Sequence, residues 1–207
     1  KMNLEKSVSI VTGSSSGVGA ATARILAQKG GRVVINYSKS VDAARVVADE
    51  CESLGGEILI CQADVANDND CRRMVAETLK KWGRLDSLIN NAGTTKFVQH
   101  ADMDGLDSED FQNIYGVNVI GAFQMVRAAS NSLKASGDAS VVNVASIAGV
   151  KGVGSSIAYA ASKGALITMT QSLARVLGPE IRVNAVCPGF ITGEWLAEGM
   201  GKETYEA

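Results

Sequence analysis

The pentapeptide Tyr159-Ala160-Ala161-Ser162-Lys163 sets a phenol and an ammonium four positions apart. On a helix that is about one turn, so the two polar heads share a side. A neighbouring ammonium favours the phenolate and draws a tyrosine pKa down from about 10. A tyrosine tuned in this way trades a proton with a carbonyl or a carbinol. The competing reading is an ordinary helix face with a solvated lysine, and the pair alone does not displace it. What decides is the set of elements that would have to position it.

Those elements alternate. Short apolar, β-branched runs fall at Val8–Val11, Arg32–Asn36, Ile58–Cys61, Ser87–Ile89, Ser140–Val144 and Arg182–Val186. Between them, helical periodicity covers about 18–29, 41–54, 68–82, 108–135 and 157–177. Continuous apolar strands separated by helices predict a parallel sheet buried on both faces, a doubly wound α/β domain with three α/β/α layers. No repeat or low-complexity linker divides the chain, so residues 1–207 read as a single domain. No seventh strand-like run follows Val186, and the chain is expected to lack a C-terminal strand of the sheet.

The first strand runs into Thr12-Gly13-Ser14-Ser15-Ser16-Gly17-Val18-Gly19, and a helical pattern follows. Glycine lets the backbone approach a ligand closely, and a helix N-terminus offers free N–H groups to a pyrophosphate. The spacing, G-x-x-x-G-x-G, differs from the usual G-x-G-x-x-G fingerprint. Further polar residues follow later strands: Asp64-Val65, Asn90-Asn91-Ala92-Gly93, Ser146 and Pro188-Gly189. Ligands of open parallel sheets sit beyond the carboxyl ends of the strands, so these loops are expected to converge on one crevice.

Composition narrows the function classes. Twenty basic against twenty-two acidic residues give a net charge of −2, with no basic stripe for nucleic acid. No apolar run of membrane length and no signal-peptide layout is present, which predicts a cytoplasmic protein that neither crosses nor binds a membrane. Cys51, Cys61, Cys71 and Cys187 form no C-x-x-C pair, and His100 is the sole histidine. Reduced thiols and no metal site are the expectation. Glycine is frequent and proline scarce, 22 against 2, which suits tight strand-to-helix turns rather than disordered linkers.

These ordered motifs, together with Asn118 in Tyr115-Gly116-Val117-Asn118, resemble the short-chain dehydrogenase/reductase family from about Val8 to Thr192. The spacing is closest to compact members such as 3-oxoacyl-carrier-protein reductases and sugar or polyol dehydrogenases. The resemblance implies a Rossmann fold and a catalytic tetrad of Asn118, Ser146, Tyr159 and Lys163. Tyr159 would be the general acid in carbonyl reduction and the base in alcohol oxidation. Ser146 would hold the reacting oxygen, Lys163 the nicotinamide ribose, and Asn118 a water linking Lys163 to solvent. Asn inside a helix already needs a reason, because it favours turns and caps.

By the same resemblance the cofactor would contact Thr12, Gly13, Ser15, Ser16, Gly17, Val18 and Gly19 at its phosphates. Asp64 and Val65 would meet the adenine, and Asn91, Ala92 and Gly93 its ribose. Pro188, Gly189 and Ile191 would close over the nicotinamide. Thr192 would join them, although it sits one residue earlier than the family's usual threonine, whose position here is Gly193.

The end of the second strand reads Asn36-Tyr37-Ser38-Lys39-Ser40, without the carboxylate that binds a free ribose 2′-hydroxyl. Ser38, Lys39 and Ser40 suit a 2′-phosphate instead, so Tyr37, Ser38 and Lys39 are expected to favour NADP(H) over NAD(H). The glycine-loop arginine of many NADP-dependent relatives is absent, its place taken by Ser16.

The substrate would be a small molecule or an acyl thioester: a 3-oxoacyl thioester, a ketone or a polyol. Residues 189–207 would begin a substrate lid, with Trp195, Leu196 and Met200 as apolar surface. His100, near the expected cleft, reads as a solvated loop histidine. A homotetramer or homodimer is implied, built on the helices at 108–135 and 157–177, the second with small residues at Ala158, Ala160, Ala161 and Gly164. A catalytically silent nucleotide-binding regulator on the same fold is the alternative, disfavoured because a binding module has no need of Ser146, Tyr159 and Lys163 together. A sugar-nucleotide epimerase fits the glycine spacing and chain length less well.

Overall fold

A computed structural model of the chain describes residues 3–191. Among these, six strands form one parallel sheet in the order β3-β2-β1-β4-β5-β6. The strands are β1 (Val8–Val11), β2 (Arg32–Tyr37), β3 (Glu57–Gln62), β4 (Ser87–Asn90), β5 (Ala139–Val144) and β6 (Ile181–Val186). All six lie within a residue or two of the apolar runs that predict them. The connection reverses direction between β1 and β4, which opens a crevice at their carboxyl ends.

The sheet is apolar on both faces because side chains alternate along each strand. Val8, Ile10 and Val34 point into one core with Met74, Met125, Leu133 and Leu173. Val11, Val33 and Ile35 point into the other, with Ala23, Leu26, Ala44 and Val47. Helices α1 (Gly17–Gln28) and α2 (Val41–Ser53) therefore cover one face. Helices α3 (Asp68–Trp82), α5 (Ala122–Ser136) and α7 (Ile157–Leu177) cover the other.

Helix ends follow local chemistry. The Asn67 side chain caps α3, and Gly83 closes it in the left-handed region at φ 71°. Asp107 and Asp110 form a reciprocal capping box at α4 (Ser108–Tyr115). Ser156 caps α7 by accepting from the Tyr159 amide at 3.2 Å, which sets the tyrosine in the first turn of that helix.

One expectation needs correction. The stretch 108–135 is not a single α-helix: α4 passes into a π-helical turn over Gly116–Gly121 before α5 begins. The apolar periodicity of Val117, Val119 and Ile120 reads the same through either geometry, so tertiary contacts decide. The turn buries Asn118 to 1% exposure, where it makes three hydrogen bonds. A short helix, α6 (Ala148–Lys151), also precedes α7. Against it lies Gly164: a Cβ on Gly149 would fall 2.5 Å from the Gly164 amide nitrogen. Gly164 thus serves a contact within the chain; Ala158 and Ala160 are buried, and Ala161 is exposed.

Candidate active site

The glycine loop is held open from below. Asn36, 2% exposed at the end of β2, accepts from the Gly13 amide at 2.9 Å through its side chain and from the Ser14 amide at 2.9 Å through its carbonyl. Its Nδ2 donates to the carbonyls of Ala63 at 3.1 Å and Cys61 at 3.3 Å, and its own amide donates to Ser14 Oγ at 2.9 Å. One side chain thereby ties the loop to the ends of β2 and β3. Sequence reasoning passed over both Asn36 and Ser14; the available signal was an amide side chain inside an apolar strand. Asn36→Ala should cost about 2–4 kcal/mol in urea unfolding, since several buried backbone groups lose their partner at once. It should also weaken binding of a reduced nicotinamide dinucleotide in a fluorescence titration.

The second support comes from β4. The Thr12 hydroxyl accepts from the amides of Asn91 and Ala92, each at 3.0 Å. Asn91 Nδ2 returns to the carbonyls of Thr12 and Gly13, each at 2.9 Å. Gly13 has φ 60°, and a Cβ there would lie 2.8 Å from Ala92 Cα. Only glycine meets both demands. α1 differs from α3 and α4 in having neither a side-chain cap nor an acidic residue in its first turn. Its positive end is left for an anion, so the loop fits a pyrophosphate.

The catalytic candidates converge at the neighbouring strand ends. Ser146 follows β5, and its side chain is hydrogen-bonded to Tyr159. Lys163, only 4% exposed, donates from Nζ to the Val144 carbonyl at 2.8 Å. That nitrogen lies 5.7 Å from the centre of the Tyr159 ring. Asn118 reaches the same place from the π turn: a Cβ on Gly93 would stand 3.4 Å from Asn118 Oδ1 and 3.5 Å from Lys163 Nζ. All four candidates thus border one end of the crevice.

Electrostatics there run against one expectation. Burial raises the Tyr159 pKa, and the hydrogen bond with Ser146 opposes the rise. The spacing predicts the opposite, a pKa drawn down by Lys163. Burial acts on Lys163 as well, lowering it to about 8, while Cys187 works the other way. Lys163 still carries most of its charge at neutral pH, but burial is the larger influence on Tyr159, and the opposing one comes from Ser146.

The remaining candidates fall around this centre. Tyr37 is half-buried, while Ser38, Lys39 and Ser40 are exposed at the tip of β2. Exposed Asp64 holds its own turn by accepting from the Ala66 amide at 2.9 Å. Val65 is buried, its carbonyl taken by Gln124 Nε2 at 2.8 Å. The Pro188 carbonyl accepts from the Ile147 amide at 2.9 Å, which draws the Pro188–Gly189 loop onto the segment bearing Ser146. Ile191 is exposed. Thr192 and all of the expected lid at 189–207 beyond Ile191 lie outside the described residues.

His100 is corrected in both position and environment. It lines a cavity with Ile157, Ala160, Ala161 and Gly164 of α7, a face turned away from Tyr159 and Lys163 at 100° per residue. Its Nε2 is buried rather than solvated and has no hydrogen-bond partner among the described residues. Beneath the site runs a buried polar chain that the apolar runs conceal. Asn90 Nδ2 donates to Asn143 Oδ1 at 2.9 Å, and Asn143 Nδ2 donates to Thr170 Oγ1 at 2.8 Å. It pins β4, β5 and α7 to one another. The four cysteines are free thiols, and no group of acidic, histidine or cysteine side chains among the described residues could hold a metal.

Known proteins are similar to this chain in sequence and fold. The family model described as short chain dehydrogenase matches residues 7–202. A protein of Streptomyces violaceoruber, named as ketoacyl reductase 2 of the granaticin polyketide synthase, is 45% identical over 92% of this chain and 75% of its own length. A crystal structure assigned as a short-chain dehydrogenase/reductase from Burkholderia xenovorans superposes with a TM-score of 0.90 at 47% identity, covering 95% of this chain and 82% of its own. NAD+-bound xylitol dehydrogenase gives a TM-score of 0.88 at 31% identity, over 95% of this chain and 75% of that one. With the sheet order, the open glycine loop and the Ser146–Tyr159–Lys163 cluster in place, a match over nearly the whole described length leaves one assignment: the chain belongs to the short chain dehydrogenase family and is an NAD(P)-dependent oxidoreductase.

Proposed function

We propose that this chain interconverts a ketone and a secondary alcohol with NADP(H), and that its working substrate is an acyl-thioester or aromatic ketone. The observation that carries the reading is the hydrogen bond between Ser146 and Tyr159 beside a buried Lys163. NADP(H), when bound, supplies or accepts the hydride. Ser146 and Tyr159 together grip the reacting oxygen, and Tyr159 gives it a proton during reduction. Lys163 holds the nicotinamide ribose hydroxyls, and Asn118 holds a water that carries protons from solvent toward Lys163.

Thr12, Gly13, Ser15, Ser16, Gly17, Val18 and Gly19 cradle the phosphates in this reading. Asp64 and Val65 meet the adenine, and Asn91, Ala92 and Gly93 its ribose. Pro188, Gly189, Ile191 and Thr192 close over the nicotinamide. The substrate class is supported by Ile147, Val150 and Val153, which stand 43%, 60% and 51% exposed directly after Ser146. Such a margin desolvates an acyl chain or ring and offers a polyol nothing to hydrogen-bond. The name of the Streptomyces relative agrees with that choice. A homodimer or homotetramer through α4, α5 and α7 is supported by the exposed Phe111, Phe123 and Val176, one on each helix, with Ile120 exposed in the π turn.

Cofactor preference rests on Tyr37, Ser38 and Lys39, where no carboxylate stands to repel a 2′-phosphate. Lys39→Asp should raise the KM for NADPH about tenfold or more while leaving that for NADH nearly unchanged, because one charge contact is replaced by a repulsion. Initial rates with both cofactors test this, using acetoacetyl thioesters, bicyclic aromatic ketones and polyols as substrates. An unchanged ratio removes Lys39 from the phosphate site. Fast turnover of polyols alone removes the substrate class.

A further inference from the structure

Ser162 lies inside the pentapeptide that carries Tyr159 and Lys163, yet the reaction described above gives it no task. It is fully buried. Its hydroxyl donates to the Tyr159 carbonyl at 2.7 Å, which spends its single proton. Toward anything else Ser162 Oγ is therefore an acceptor only. The group that donates to it is Asn118 Nδ2, at 3.0 Å across a span of 44 residues.

The other bonds of Asn118 make this one consequential. Nδ2 sends its second hydrogen to the Thr94 carbonyl at 3.0 Å, and Oδ1 accepts from the Thr94 amide at 2.8 Å. Thr94 alone fixes which way round the amide sits, but it belongs to the loop after β4. Among the described residues, the bond to Ser162 is the side-chain hydrogen bond that ties Asn118 to the turn of α7 bearing Tyr159 and Lys163. Three of the bonds form one directed chain, Thr94 N–H to Asn118, Asn118 to Ser162 and Ser162 to the Tyr159 carbonyl, while the fourth returns from Asn118 to the Thr94 carbonyl. Asn118 also sits in a π-helical turn, a geometry that persists only where its surroundings hold it.

We infer that Ser162 is a positioning residue: it holds Asn118 in the π turn at a fixed place relative to Tyr159 and Lys163. This rests on the catalytic reading above and adds to it the part that aligns two helices at the site. The chemistry passes through Asn118, so the effect of losing Ser162 must depend on Asn118 being present.

A double-mutant cycle reads this directly. Ser162→Ala should lower kcat for ketone reduction by roughly ten- to a hundredfold, the scale of a misplaced catalytic group. The Kd for NADPH and the KM for the ketone should stay within about threefold, since neither ligand touches Ser162. In an Asn118→Ala background the same change should cost less than about twofold. Ser162→Cys keeps a weak acceptor at this position and should retain more of kcat than the alanine form. It also serves in the cycle if the alanine form fails to fold. Equal losses in both backgrounds overturn the inference, as does a Ser162→Ala enzyme with unchanged kcat. Tyr159→Phe run in parallel separates the two levels of the account. If it abolishes turnover while Ser162→Ala does nothing, only the role of Ser162 fails. If it leaves turnover intact, the catalytic reading falls and the role of Ser162 with it.

Discussion

Tyr159→Phe should lower kcat for ketone reduction by about 10²–10⁴-fold, the range that a positioned general acid contributes. NADPH affinity should stay within a few-fold, because the ring and its packing remain and only one oxygen is lost. That oxygen is the group hydrogen-bonded to Ser146, where the reacting oxygen is expected to be held. The pH dependence follows from the same burial. With its pKa raised, Tyr159 keeps its proton across the neutral range, so the acid needed for reduction is fully present there. The base needed for oxidation appears only as pH rises. Oxidation of a secondary alcohol should therefore climb steadily through alkaline pH while reduction declines. Steady-state rates in both directions, with substrate saturating, check this. A flat profile for oxidation would show that another group takes the proton.

Lys163→Met should abolish activity and yet stabilise the protein near neutral pH. Lys163 is 4% exposed, and burial lowers its pKa from 10.5 to about 8. Below about pH 8 both the folded and unfolded chains carry the proton, so the folded state bears the full cost of an enclosed charge. Between about 8 and 10.5 the unfolded chain binds the proton that the folded chain has released, so stability rises with pH across this window. The fall from 10.5 to about 8 corresponds to about 3 kcal/mol. The lost hydrogen bond to the Val144 carbonyl returns about 1 kcal/mol of that. A net gain of about 1–3 kcal/mol at pH 7 should raise Tm by roughly 2–10 °C in a chain of this size. Thermal melts from pH 7 to 10 should show the advantage of Lys163→Met over wild type shrinking as pH rises above about 8. The buried thiols Cys61 and Cys71 contribute equally in both proteins and drop out of that difference. A methionine form that melts lower than wild type at pH 7 would mean that the ammonium is better solvated than its surroundings allow.

Much of this site is legible in the sequence, for a physical reason. Strands buried on both faces must be continuous apolar runs, so Val8–Val11 and Val33–Ile35 stand out, and the polar residues just beyond such runs mark the carboxyl edge. That places Thr12, Asn91, Ser146 and Pro188 at one crevice. The parts that stayed hidden depend on partners distant in sequence. Asn36 looks like the last residue of a strand, and its clamp on Gly13 and Ala63 exists only after β1, β2 and β3 pair. Asn118 stood out as a polar residue among Val117, Val119 and Ile120, but its π turn arises from contacts with Thr94 and Ser162. The Tyr159 pKa went the wrong way because spacing reports proximity and says nothing about burial, and here burial is the larger influence. His100 shows the same gap: a loop position suggests solvent, while the fold encloses its Nε2.

The most direct test of the account is hydride transfer itself. NADPH deuterated at the reactive face of nicotinamide C4 should be incubated with the wild-type protein and a panel of acyl-thioester and bicyclic aromatic ketones, with the products weighed by mass spectrometry. The account predicts a secondary alcohol one mass unit heavy, at the former carbonyl carbon, formed in step with NADPH consumption. Stoichiometric NADPH binding without a labelled alcohol from any ketone would contradict it, leaving a nucleotide-binding protein with an idle Tyr159.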